Sequence, residues 1–83
     1  MDLSGNKLTD NGIVNILKAM CETRIERLVI SNNKLTEKCT EQMTGILARA
    51  KHLKTLMMQD NAITNRVAKN KLINSLKKID VVI

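Results

Sequence analysis

A chain of 83 residues makes one small domain that buries a limited share of its surface, so its stability is marginal. The absence of Phe, Tyr, Trp and Pro leaves Leu, Ile, Val, Met and Ala to build an aliphatic core, and excludes stacking of bases on aromatic rings. Its 14 Lys and Arg against 8 Asp and Glu give a net charge of +6, two cysteines are too few for a disulfide scaffold, and no apolar run approaches the ~18 residues of a membrane-spanning helix.

The opening string MDLSGNKLTDNGIVNILKAM begins with strand-like alternation, Met1 and Leu3 on one side and Asp2 on the other. A turn is expected around Asn6, then Thr9 as the cap of a helix whose first turn carries Asp10, where negative charge complements the helix dipole. Ile13, Ile16, Leu17 and Met20 recur at three- and four-residue spacing and give that helix one apolar face.

The same plan returns in LVISNNKLTEKCTEQMTGIL, with Leu28 and Ile30 opposing Val29, Glu37 in the first helical turn, and a stripe of Cys39, Met43, Ile46, Leu47 and Ala50. It returns again in LMMQDNAITNRVAKNKLINSL, where Leu56 and Met58 oppose Met57. Asn6, Asn33 and Asn61 fall in register, as do Leu8, Leu35 and Ile63, and Thr9, Thr36 and Thr64, a period of 27 to 28 residues. The third helix, with Thr64 as its expected cap, has its stripe of Ala68, Leu72, Leu76 and Ile79 displaced by one position, because Lys71 falls where Ile16 and Met43 stand. That unit is expected to be the least regular. The closing IDVVI reads as the start of a fourth strand, whose spacing from Asn61 favours Val82 inward and Ile83 outward, with a one-residue shift as the alternative.

The recurring Asn answers a recurring problem. At each strand end the chain turns sharply and leaves buried amide and carbonyl groups that need partners. An Asn side chain offers donors and an acceptor to its own turn and to the neighbouring copy. Units of about 1–27, 28–55 and 56–83 cannot hide their apolar faces alone, but stacked side by side they share one core.

The pattern LxLxxNxLT followed by a helix resembles the leucine-rich-repeat family, and Gly12 or Cys39 six residues past the Asn is similar to its ribonuclease-inhibitor-like subclass. The third copy departs from it: Asp60 and Ala62 replace the preferred surroundings, and Val67 stands in for the Gly or Cys. The resemblance covers essentially the whole chain and implies an α/β leucine-rich-repeat solenoid with parallel β-strands on the concave side and α-helices on the convex side. Ribonuclease inhibitor, NOD-like receptors, tropomodulin and the Ran GTPase-activating protein have similar repeats, and the pattern does not choose among them. With no capping unit visible beside MDL or VVI, a segment of a longer array is expected; self-association through uncapped ends and edge-on docking are the alternatives.

Reaction chemistry is not suggested. Cys39, although next to Lys38, holds the subclass position of a small buried structural residue, and Cys21 sits near the end of the first helix. His52 lies beside Arg49 and Lys51 near a helix C-terminus, with no identifiable nucleophile or carboxylate partner, and no zinc-ligand spacing exists. The expectation is therefore a non-enzymatic protein without cofactor or metal, in a reducing cytoplasm and not in a membrane.

Two binding surfaces remain. The outward positions form lateral rows, Asp2, Val29 and Met57, then Ser4, Ser31 and Gln59, then Gly5, Asn32 and Asp60, and none of these carries positive charge. Val29 and Met57 side by side suggest an apolar strip with a polar rim, so Val29, Ser31, Met57, Gln59 and Asp60 are the candidate contacts for a protein partner or for further repeats. Positive charge concentrates in the last two thirds of the chain, most densely in KNKLINSLKK. Arg66, Lys69, Lys71, Lys77 and Lys78 are accordingly either a solvated helix face or a surface for RNA or another polyanion.

Overall fold

In a computed structural model that describes residues 1–83, the chain is an α/β structure with three parallel strands and three α-helices. The order is α1 (Asp10–Met20), β1 (Arg27–Val29), a 3-10 turn (Glu37–Cys39) leading into α2 (Thr40–Leu47), β2 (Thr55–Met57), α3 (Arg66–Ser75) and β3 (Asp80–Val82). The sheet order is β1-β2-β3, with Leu28 opposite Leu56 and Leu56 opposite Val81. Met1–Leu3 extends the sheet beyond β1: Val29 N donates to Met1 O at 2.8 Å and Leu3 N to Val29 O at 2.7 Å.

Period-2 alternation divides each strand between two faces. Leu28, Ile30, Leu56 and Met58 point inward and are at most 1% exposed, meeting Ile13, Leu17, Met43, Leu47 and Leu72 of the helices. Each such Leu, Ile or Met contributes about 1.5–3 kcal/mol by leaving water. The helices all lie on this side, which leaves the other face of the sheet uncovered.

Beyond the strands, Gly5, Asn32 and Asp60 occupy the same position in each coil and share a left-handed backbone, φ 70°, 54° and 57°. Gly, Asn and Asp tolerate that region best, and this sets the turn that aims the next residue, the Asn, back at the neighbouring coil. Asn33 Oδ1 accepts from Asn6 N at 2.9 Å and Leu8 N at 3.0 Å, while its Nδ2 donates to Ile30 O, Leu3 O and Ser31 O. Asn61 repeats the arrangement one coil on, accepting from Asn33 N at 3.1 Å and Leu35 N at 3.2 Å and donating to Met58 O and Ile30 O. A second backbone ladder runs beside it, Lys34 N to Leu8 O at 2.9 Å and Ala62 N to Leu35 O at 2.7 Å.

Several sequence expectations are corrected. Val82 does not point inward: it pairs with the outward Met57, while Val81 and Ile83 pack against the core. The cause is a shortened approach to the strand. Leu76 O accepts from Ile79 N in a tight turn after α3, and Asp80 N then binds Lys54 O, so the inward position falls two residues after Ile79, against three after Leu53. Thr64 does not cap α3; Asn65 does, its Oδ1 accepting from Val67 N and Ala68 N. Val67 consequently lies in the first turn of α3 at 74% exposure, although Gly12 and Cys39, its counterparts in the period, are half-buried and buried. Met1, expected inward, is 44% exposed because no strand lies beyond it.

Candidate functional site

Along the uncovered face of the sheet, Val29, Met57 and Val82 stand in one row across β1, β2 and β3, each half-buried. Asp2 continues the row beyond β1. Its carboxylate sits below the usual range because Ser4 Oγ and Ser4 N both donate to it, with the N-terminal ammonium and Arg27 adding to the effect. Arg27, Thr55 and Asp80 form the next row toward the strand starts.

Arg27 corrects the picture of a face without positive charge. Its guanidinium donates to the Met57 thioether at 3.2 Å, so a cation lies against the centre of the apolar row, with Asp2 and Asp80 at its flanks. Arg27 stands two residues before Val29, a spacing that puts it on the same outward face, whereas Val82 depends on a register visible only in the sheet.

The remaining candidates have local duties as well. Ser31 Oγ accepts from Gln59 N at 3.1 Å, tying the ends of β1 and β2 together, and Gln59 itself is exposed. Asp60 is exposed but belongs to the left-handed turn, so its residue type is also explained by backbone conformation. Val29, Ser31, Met57 and Gln59 therefore share one contiguous face, and Asp60 rounds its far corner.

The five basic residues of the second surface do not share one place. Lys71 lines a groove with Glu37 and Glu41 between the starts of α2 and α3, close to Arg66 and Lys69 in the first turns of α3. Lys77 and Lys78 lie at the opposite end of α3, beside Lys51 and Lys54. A neighbouring groove between the ends of α1 and α2 carries Lys18, Arg49, Lys51 and His52 with Glu22 and Cys21.

Neither thiol is activated. Burial pushes Cys39 up to about 12, and its Sγ donates to Thr36 O at 3.1 Å. Burial also raises Cys21, whose Sγ donates to Ile46 O. Asp10, expected only to complement its own helix, reaches across to the next coil: Oδ1 accepts from Thr36 N at 2.8 Å and Oδ2 from Thr36 Oγ1. Burial alone would raise this carboxyl, but those hydrogen bonds, with lesser help from Cys39 and Lys38, hold it below its usual value.

No protein-family model matches the sequence. The chain is similar to NACHT, LRR and PYD domains-containing protein 5 of Homo sapiens, at 32% identity over 65 residues. That alignment takes in 76% of this chain and 5% of the human protein, so the chain spans about a twentieth of the relative it matches. The match and the parallel three-stranded sheet together support a leucine-rich-repeat region here.

Proposed function

We propose that the chain is a non-catalytic protein-interaction module of the ribonuclease-inhibitor-like leucine-rich-repeat type, acting in the cytoplasm and engaging its partner through the uncovered face of the sheet. The observation that carries this reading is the row Val29, Met57 and Val82, a half-buried apolar strip at the centre of a face that no helix covers. Polar and charged groups surround it, Ser31 and Gln59 at one side, Arg27, Asp2 and Asp80 at the other, an arrangement suited to a desolvated centre with a wet rim. Solenoid stacking with further repeats on either side would lengthen the same face without changing it. The similarity to a protein whose name includes LRR agrees with binding as the general role.

The test is a comparison of variants in affinity capture. Met57→Lys should abolish recovery of the specific partner while leaving the fold intact, because Met57 points away from the core; Lys71→Glu should leave recovery unchanged. If Lys71→Glu and moderate salt remove the partner and Met57→Lys does not, the sheet-face reading is wrong and the polyanion reading through Arg66, Lys69, Lys71, Lys77 and Lys78 takes its place.

A further inference from the structure

Behind the sheet, the ends of α2 and α3 leave an open groove of about 750 Å³. Leu47, Leu53, Leu76 and Ile79 lie beneath it at no more than 9% exposure, and the more accessible side chains of its lining are Ala48 and Ala50 with Asn74 and Ser75 beside them. Its rim carries Lys51, Lys54, Lys77 and Lys78, and no carboxylate lines it. Lysines at helix ends ordinarily answer the negative pole of the dipole. Here Ala48 N binds Thr44 O, Arg49 N binds Ile46 O, Ala50 N binds Leu47 O, and Leu76 N binds Leu72 O and Ile73 O, while Gly45 O, Asn74 O and Ser75 O accept no hydrogen bond and leave part of that pole for the lysines to answer. Of the four rim lysines, Lys54 alone is in an ion pair, an exposed one with Glu26 at 3.2 Å. Lys51, Lys77 and Lys78 thus gather at the groove without an ion-pair partner inside the molecule.

We propose that this groove binds an acidic peptide segment of another protein, setting a short aliphatic side chain against Ala48 and Ala50 and carboxylates against Lys51, Lys77 and Lys78. A nucleic-acid backbone matches the lysines, but the lining has no aromatic ring on which its bases could stack. The surface is separate from the sheet face, so two partners, or two parts of one, can be held at once.

The test is fluorescence anisotropy of the 83-residue chain with a short labelled peptide of alternating Glu and Leu. Changing Lys51, Lys77 and Lys78 together to Glu should weaken binding by about tenfold or more, and to Gln by a few-fold, each with an unchanged circular dichroism spectrum. The Gln variant guards against unfolding of the Glu variant. A matched control, Lys7→Glu, Lys34→Glu and Arg66→Glu, should bind as the parent does, and so should Met57→Lys, which separates this groove from the sheet face. Replacing Leu by Ser in the peptide should cost several-fold. The proposal is overturned by an absence of binding, by equal loss in the control, by indifference to the Leu-to-Ser change, or by an oligouridylate or phosphatidylserine vesicles displacing the peptide at lower concentration than unlabelled peptide does.

Discussion

Asn33 and Asn6 have the same letter and the same place in the period, yet different weight. Asn33 is 8% exposed and joins two coils through both ends of its amide, whereas Asn6 is exposed and its Nδ2 serves its own turn, at Leu3 O and Ser4 O. Asn33→Ala orphans the amides of Asn6 and Leu8 and should cost about 3 kcal/mol, against less than about 1 kcal/mol for Asn6→Ala, as read by urea denaturation. Asp10 makes a pH-dependent link of the same kind. Its folded pKa lies below the usual 3.8, so its contribution is complete above that value and is lost as the pH falls through the lower folded one. Acid titration of unfolding should show a loss of stability beginning between about pH 5 and 4 that Asp10→Asn flattens, since Asn cannot change charge. The thiols should differ in rate. With Cys39 at about 12 and buried, iodoacetamide at neutral pH should modify Cys21 first and reach Cys39 only in denaturant, as mass spectrometry can follow. The spacing of the asparagines could be seen in the sequence, but the bond from Asp10 to Thr36 could not, because the two lie 26 residues apart and meet only when coils stack.

Helix α3 shows how a local signal misleads when a better one stands beside it. The period points to Thr64 as cap, but Asn65 is an equally good capping residue one position later, and its Oδ1 takes two first-turn amides. Asn65→Ala should lower stability by about 1 kcal/mol and Thr64→Ala by a few tenths, in the same denaturation assay. That choice shifts the start of the helix, sends Val67 into solvent and leaves Leu72 as the one fully buried side chain within it. Lys71, at the position of half-buried Ile16 and buried Met43 in the other copies, is exposed. Strand β3 follows from the same helix: the turn through Leu76 and Ile79 delivers the chain to the sheet one residue early, and a one-residue change of register exchanges the faces of Val82 and Ile83.

Taken whole, the molecule has two open sheet edges. Met1–Leu3 is bonded only toward β1 and β3 only toward β2. Nothing donates to Asn6 Oδ1, although Asn33 and Asn61 each use that atom to hold the coil before them. Such edges accept another strand readily. The isolated chain should therefore associate at concentrations of about tens of micromolar, as seen in light scattering or sedimentation, and a sharply melting monomer would count against it. The sequence was sufficient for strand, turn and helix in each unit, for parallel neighbours and for an aliphatic interior, because alternation, capping and a repeated Asn are properties of a few adjacent residues. Tertiary structure was needed for the register of β3, for Arg27 lying on Met57, for the bond from Asp10 to Thr36 and for the gathering of Lys51, Lys54, Lys77 and Lys78. Each of these joins residues far apart in the chain, and their meeting depends on how many residues every turn consumes before the next strand begins.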